Sequence, residues 1–249
     1  METTMDGIPE NMTPEFRDMA IRLMTRQLYA ESATCELFGR AIALAPTWQD
    51  AVQQARFAKE EAEHVEYVAR VLEALGADVN ALLEKRGPAT AFFGLDEDGL
   101  KSWTGVIAFN LYGDRAGSHQ IRAYLDNALP AWGKSQRQVL ADEAQHQGYG
   151  DREAVRVCQD PDQRAQMQHI IDASMPITVK RAFGRLESDE NRYCLEVGLK
   201  VKGLDTAQVQ YNYFKSVKPV MEKAGLRFPD FAANGVELAE PVRQEFALH

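Results

Sequence analysis

Glu61-Ala62-Glu63-His64 and Glu143-Ala144-Gln145-His146 are two copies of one four-residue pattern, and they decide the fold expected of this 249-residue chain. In each copy a glutamate and a histidine stand three residues apart. On a helix this spacing places a carboxylate and an imidazole on one face, one turn apart. Each Glu-x-x-His pattern can therefore bind one metal ion from a single helix.

An acidic residue precedes each pattern by nearly the same distance. Glu31 lies 30 residues before Glu61, and Asp114 lies 29 residues before Glu143. A shift of 82 or 83 residues therefore superimposes the first half of this region on the second. We expect two helical hairpins that pack about a pseudo-two-fold axis, with their carboxylates turned towards each other.

Four carboxylates that converge on one buried centre repel one another unless cations lie between them. Hard oxygen donors, with one nitrogen per metal and no sulfur, favour iron or manganese over structural zinc. One acidic residue from each of two helices plus Glu-x-x-His from each of two others is the arrangement of di-iron carboxylate bundles. We therefore expect two metal ions, iron with manganese as the alternative, at six residues: Glu31, Glu61, His64, Asp114, Glu143 and His146.

Capping signals and hydrophobic periodicity divide the chain into long helices. They predict helices from Pro14 to about Leu44, from Thr47 to about Leu75, from about Asp98 to Leu129, from Pro130 to about Asp160, and from Asp160 onwards. Two or three shorter helices are expected between Glu187 and Gly225, and an irregular tail from Phe228. No stretch alternates with period two for long enough to form a sheet. The sequence therefore predicts an all-α protein.

Composition excludes several classes of function. The 28 basic and 37 acidic residues give a net charge of −9, which disfavours a nucleic-acid partner. The longest apolar stretches, such as 106–109, are far shorter than the roughly 20 residues that cross a bilayer. The polar, acidic start does not resemble an export signal. Cys35, Cys158 and Cys194 are widely spaced, which disfavours disulfides and thiolate metal sites. We expect a cytoplasmic protein without a membrane partner.

The sequence resembles the ferritin-like phenylacetate-catabolism proteins, and within them the catalytic subunit of phenylacetyl-CoA epoxidase. The resemblance covers roughly Arg26 to Val157 and includes, beyond the six residues above, Ala45-Pro46-Thr47, Gly105-Val106-Ile107 and Asp142-Glu143. It implies a di-iron centre at the six residues, which uses dioxygen as co-substrate after reduction by a partner protein. Together with the helical signals along the chain, it leads us to expect one ferritin-like domain over 1–249, with a four-helix bundle core over about 13–160, additional helices over about 161–225 and a tail over 226–249.

Two further positions follow from this resemblance. In the related di-iron oxygenases, the acidic residue directly before each Glu-x-x-His glutamate orients a ligand histidine, which implies that role for Glu60 and Asp142. A fixed partner for the outer ring N–H sets the tautomer and basicity of a ligand histidine.

One turn before Glu61 the resembled subunit has a lysine, whereas this chain has Phe57. The resemblance therefore implies the iron chemistry more directly than coenzyme A binding.

Helical spacing from the six residues also predicts a substrate pocket beside them. For Phe38, Phe57 and Leu111, packing in the core is the simpler explanation of the same spacing. The predicted pocket consists of seven residues: Leu28, Cys35, Phe38, Phe57, Asn110, Leu111 and Gly117.

The expected function is that of a non-haem di-iron monooxygenase. It would insert oxygen into a small organic substrate by hydroxylation, epoxidation or N-oxygenation, and both aromatic and CoA-linked substrates remain open. We expect an electron-donating reductase as partner, and a homodimer or hetero-oligomer as the assembly. The alternatives are a ferritin-like ferroxidase that handles iron and a partner subunit of an oxygenase. Hydroxylation of a nucleoside in RNA is disfavoured by the net charge of −9.

Overall fold

The regular secondary structure of the described residues is helical. The computed structural model describes residues 8, 9, 11–88 and 101–248, and every regular element within these ranges is a helix. The all-α prediction is confirmed. In the same ranges, no helix is both long enough and apolar enough to span a membrane.

The first two long helices form a hairpin. Helix α1 spans Pro14–Leu44 and helix α2 spans Trp48–Ala74, and the two pack against each other. Thr13 caps α1 by accepting a hydrogen bond from the Phe16 N–H, and Thr47 caps α2 by accepting from the Asp50 N–H. Both starts agree with the capping signals in the sequence. A short helix, α3, follows at Val79–Glu84.

The third long helix contains a π-helical turn. It consists of α4 at Trp103–Phe109, the π turn at Asn110–Asp114 and α5 at Arg115–Arg122. The extra residue of a π turn changes which face the following side chains occupy, and such turns are frequent at functional sites. The turn also needs a small residue, because a Cβ at Gly113 would lie 2.6 Å from ring carbons of Phe109.

The third helix is shorter at its C-terminal end than the sequence predicts. It ends at Arg122 rather than near Leu129, because the following backbone forms hydrogen bonds outside the helix. The Ala128 N–H donates to the Gly198 carbonyl and the Val201 N–H donates to the Ala123 carbonyl. The predicted start near Asp98 lies outside the described residues.

The fourth long helix, α6, spans Pro130–Val157 and begins at the predicted proline. It packs against α2 and against the π turn. These contacts bring α1, α2, the third helix and α6 together as the four helices of the bundle.

Further helices pack against this core. Asp160 caps α7 by accepting hydrogen bonds from the N–H groups of Asp162 and Gln163, as predicted. The helices after α6 are α7 at Pro161–Phe183, α8 at Asp189–Glu196, α9 at Thr206–Lys223 and α10 at Glu240–Phe246.

The expectation of an irregular tail is wrong for residues 240–246. Helix α10 forms there because Val242 and Phe246 are buried. The Phe246 ring packs on rings of α9, with centroids 6.1 Å from Phe214 and 5.9 Å from Tyr211. Burial of these apolar side chains stabilises a helix too short to persist alone.

Candidate metal centre

The six residues predicted from the sequence converge inside the bundle. Each is at most 5% exposed to solvent. Helix α1 contributes Glu31, α2 contributes Glu61 and His64, the π turn contributes Asp114, and α6 contributes Glu143 and His146.

These residues form two groups that share two carboxylates. In each group one ligand atom per residue lies within 4.8 Å of the others, which is compact enough to hold a metal ion. Glu61 and Glu143 belong to both groups. The first group is completed by Glu31 and His64, and the second by Asp114 and His146.

The Nδ1 atoms of both histidines face the carboxylates. His64 Nδ1 lies 3.5 Å from Glu31 Oε2 and 3.7 Å from Glu61 Oε2. His146 Nδ1 lies 3.4 Å from Glu61 Oε1 and 3.4 Å from Asp114 Oδ2. The two imidazoles therefore present equivalent nitrogens to the two groups.

The outer nitrogens of the histidines contact carboxylates in a crossed arrangement. His64 Nε2 lies 3.3 Å from Asp142 Oδ2, and His146 Nε2 lies 2.8 Å from Glu60 Oε2. Each carboxylate thus contacts the histidine of the other Glu-x-x-His pattern. When Nε2 of a neutral imidazole donates its proton outwards, the lone pair of Nδ1 faces inwards and is available to a metal.

Several inward-facing atoms have no hydrogen-bond partner, although they are fully buried. They are both carboxylate oxygens of Glu61, Oδ2 of Asp114 and Nδ1 of both histidines. Buried polar atoms of native proteins are normally satisfied. A cation between these acceptors would satisfy them, and the oxygen and imidazole donors suit iron or manganese. The residues therefore fit a pair of divalent ions.

The pKa values of the centre reflect the same accumulation of negative charge. Burial raises the pKa of Glu61 to about 7. Burial, together with the charges of Asp114 and Glu61, raises the pKa of Glu143 well above its ordinary value. Burial acts to lower the pKa of His64, but its contacts with Glu31 and Glu61 raise it to about 12. Without metal, protons supply the positive charge that the cluster requires.

A hydrogen-bonded network supports the first group, and the sequence reasoning missed it. Gln27 Nε2 donates to Glu31 Oε1 at 2.9 Å and to Gln136 Oε1 at 2.9 Å, and Trp132 Nε1 donates to Gln27 Oε1 at 2.8 Å. Helical spacing could have indicated both glutamines, since Gln27 is four residues before Glu31 and Gln136 is seven before Glu143.

Aromatic rings surround the histidine of the second group. The Phe57 ring centroid lies 4.1 Å from that of His146, and the Phe38 centroid lies 5.5 Å from it at 82°. Tyr149 packs on Phe57 at 5.5 Å and donates its hydroxyl proton to Asp50. The two groups are therefore similar in ligand atoms and different in their surroundings.

A cavity of about 310 Å³ opens beside the centre, between α1, the third helix, α6 and α7. Three carboxylates of the centre line it: Glu31, Asp114 and Glu143. Apolar or aromatic residues and glycines form part of the remaining lining: Tyr29, Ala30, Phe109, Gly113, Ala116, Gly117, Ile121 and Ala182. The other part consists of six polar residues: Arg26, Gln27, Thr34, Gln120, Thr178 and Arg181. The cavity therefore gives a small molecule access to the carboxylates from a wall that is partly apolar and partly polar.

The predicted pocket agrees with this cavity at one position. Gly117 lines the cavity, and the other six residues do not. Leu28 packs in the core near Trp132, and Cys35 Sγ faces the Ala58 carbonyl of α2 at 3.3 Å.

The remaining four predicted pocket residues also belong to the protein interior. Phe38 and Phe57 pack on His146, and Leu111 is in the apolar core. Asn110 faces α6, where a Cβ at Gly150 would lie 2.8 Å from it. Spacing along one helix identifies a face but not the neighbour that covers it, which explains why these residues lie outside this cavity.

A comparison with protein families identifies the relatives of this chain. A family model described as phenylacetic acid catabolic protein matches residues 10–238. The chain belongs to this family. A search of curated proteins finds no significant match.

Membership of the phenylacetic acid catabolic protein family confirms the resemblance seen in the sequence. The family match extends beyond the predicted range of Arg26 to Val157 at both ends and includes α7, α8 and α9. It also reaches into the tail, as far as residue 238. The helices after the bundle are therefore part of what the family shares.

Proposed function

We propose that this protein is a non-haem di-iron monooxygenase that oxygenates a small organic substrate. The observation that carries the proposal is a pair of buried carboxylate–imidazole groups that share Glu61 and Glu143, with three of their carboxylates lining an adjacent cavity. Membership of the phenylacetic acid catabolic protein family supports the same chemistry.

The ligand assignment is supported by the geometry of each group. Glu31 and His64 would hold one ion, Asp114 and His146 would hold the other, and the two shared glutamates would contact both. When bound, iron supplies the capacity to activate dioxygen, which protein side chains lack.

The chain itself orients the ligands and excludes water. Ser118 Oγ donates to Glu143 Oε2 at 3.2 Å, and Gln147 Nε2 donates to the same hydroxyl, so the Glu143 carboxylate is held in one orientation. Gln27 Nε2 donates directly to Glu31 Oε1 and so fixes the orientation of the Glu31 carboxylate. The six residues are at most 5% exposed, and this burial limits access of water to them, which protects an oxidising centre from side reactions.

The cavity and the family support a proposal for the substrate class. The apolar and aromatic part of the cavity lining, which includes Tyr29, Phe109 and Ile121, suits an uncharged hydrocarbon or aromatic group. We propose an aromatic acid or its thioester as substrate, with a reductase as electron donor. A hetero-oligomer with other oxygenase subunits is the proposed assembly.

The crossed carboxylates lead to a first prediction. We expect Asp142→Asn and Glu60→Gln each to weaken metal binding by about 10- to 100-fold, because a neutral amide is a weaker partner for the histidine N–H. Chelator competition with Co²⁺ measures this affinity. Glu63→Gln is the matched control, since Glu63 lies on the same helix and pairs with Lys59 at the surface. Unchanged affinity in both outer-carboxylate variants would contradict the assigned role.

The proposed reaction is tested by following the fate of dioxygen. The protein is loaded with Fe²⁺, reduced, and exposed to ¹⁸O₂ with phenylacetate, phenylacetyl-CoA or benzoyl-CoA. We expect one ¹⁸O atom in an organic product, detected by mass spectrometry, and no product with His64→Ala. Oxygen uptake that yields ferric iron without any labelled organic product would contradict the proposal and indicate a ferroxidase.

A further inference from the structure

A single aromatic ring connects a histidine of the candidate centre with a tyrosine near the protein surface. Phe57 lies between them: its ring centroid is 4.1 Å from that of His146 and 5.5 Å from that of Tyr149. His146 and Phe57 are buried, and Tyr149 is 9% exposed. The Tyr149 ring is therefore linked to the histidine of the second group through one intervening ring.

Phe57 is also the position at which this chain departs from the subunit that it resembles. That subunit has a lysine one turn before the first Glu-x-x-His glutamate, whereas this chain has phenylalanine. A charged side chain beside His146 is thereby replaced by a ring that contacts Tyr149 as well. The six residues that would hold metal do not account for this aromatic contact.

The Tyr149 hydroxyl is paired with a carboxylate. It donates a hydrogen bond to Asp50 Oδ1 at 2.7 Å. Burial and this contact raise the pKa of Tyr149, so the phenol keeps its proton at neutral pH. A phenol that loses an electron must also release this proton, and Asp50 is in position to accept it. Asp50 lies in the first turn of α2 and is partly exposed, so its carboxylate can exchange the proton with solvent.

A buried amide lies close to the same hydroxyl. Gln54 is fully buried, and neither its Nε2 nor its Oε1 atom has a hydrogen-bond partner. Although burial and Asp50 raise the pKa of Tyr149, the Gln54 amide acts to lower it by favouring the deprotonated oxygen. Buried polar atoms of native proteins are normally satisfied. This amide is therefore available to the phenolic oxygen once the proton has moved to Asp50.

We propose that Tyr149 is a redox-active residue that gives one electron to the iron centre and its phenolic proton to Asp50. The O–H bond of Tyr149 breaks, an O–H bond forms on Asp50, and the electron passes through Phe57 and His146. The oxidant is iron that dioxygen has oxidised above the ferric state, and the electron reduces it by one unit. The product is a neutral tyrosyl radical. This role rests on the proposed iron chemistry.

The transfer removes oxidising equivalents from the centre when no substrate is bound. Without it, the side chains that hold the iron are the groups nearest to the oxidant. Tyr149 is 9% exposed and Asp50 is partly exposed, so a soluble reductant can return the electron and solvent can return the proton. Tyr149 therefore suits a protective role in which it is oxidised and reduced repeatedly.

Electron paramagnetic resonance tests this role. The Fe²⁺-loaded protein is mixed with dioxygen in the absence of substrate and frozen rapidly. We expect a radical signal that narrows when the protein contains ring-deuterated tyrosine, and no such signal from Tyr149→Phe. Asp50→Asn is expected to slow radical formation at least about 100-fold, because a positioned base contributes about 10²- to 10⁴-fold. Phe57→Leu keeps the hydrogen bond but removes the intervening ring, so a lower radical yield is expected.

Tyr211→Phe is the matched control, because Tyr211 also donates to a carboxylate, Glu245 Oε2, at 2.7 Å, while its ring packs on Phe246. Bound iron and oxygen consumption are measured in the same samples. Oxygen consumption without a tyrosyl radical, an equal signal from Tyr149→Phe, or unchanged radical formation in both Asp50→Asn and Phe57→Leu would overturn the role of Tyr149 alone. Absence of oxygen consumption by the wild-type protein would overturn the proposed iron chemistry and this role with it.

Discussion

Replacement of Glu143 by alanine is expected to lower bound iron from about two ions per chain to one or fewer, and to lower oxygen consumption at least about 100-fold. Glu143 belongs to both groups of the centre, so its loss leaves neither group complete. Outer carboxylates alone contribute about 10- to 100-fold to metal affinity, and a shared ligand contributes at least as much. Iron analysis and an oxygen electrode measure the two effects.

The fold of this variant is expected to persist. Burial and neighbouring carboxylates raise the pKa of Glu143, so its removal relieves an unfavourable burial of charge. A thermal unfolding curve checks this point. Gln145→Ala is the matched control, because Gln145 is exposed within the same Glu-x-x-His pattern. Two ions per chain in the Glu143→Ala protein would refute the shared-ligand assignment.

Glu61→Gln is expected to stabilise the metal-free protein at pH 8 by ~2–3 kcal/mol while abolishing most of the stabilisation by metal. The pKa of Glu61 is raised from 4.5 to about 7 in the folded protein. Stability from this group is therefore fully present below pH 4.5 and is lost as the pH rises through about 7. Glutamine is neutral at every pH, so the variant does not lose this stability as the pH rises.

Urea unfolding at pH 5 and pH 8, with and without Co²⁺, measures the free energies of unfolding. A metal at about 1,000 times its Kd stabilises the wild-type protein by about 4 kcal/mol, and the variant should gain much less. Glu66→Gln is the control, because Glu66 is exposed on the same helix and pairs with Arg70. If Glu61→Gln and the wild type show the same pH dependence without metal, Glu61 is not the buried titrating group.

The four bundle helices and the six residues of the centre follow from local sequence. Thr13 and Thr47 cap their helices through side-chain hydrogen bonds, a property of neighbouring residues that needs no knowledge of the fold. The Glu-x-x-His spacing is likewise local, and the shift of 82 or 83 residues indicates how the halves correspond.

Features that depend on contacts between helices could not be predicted in this way. The third helix ends early because Gly198 and Val201, far along the chain, form hydrogen bonds with the backbone that follows it. The crossed contacts of Glu60 and Asp142 depend on how α2 packs against α6. Thr178 lines the cavity, but it lies on α7, which carries no sequence motif that could have indicated this position.

The most direct test of the central claim is anomalous X-ray diffraction from crystals of the iron-loaded protein. Two anomalous peaks are predicted inside the bundle, one contacted by Glu31 and His64 and the other by Asp114 and His146, with Glu61 and Glu143 contacting both. No peak among these residues, or a single peak that leaves one histidine without a metal, would contradict the two-cation centre.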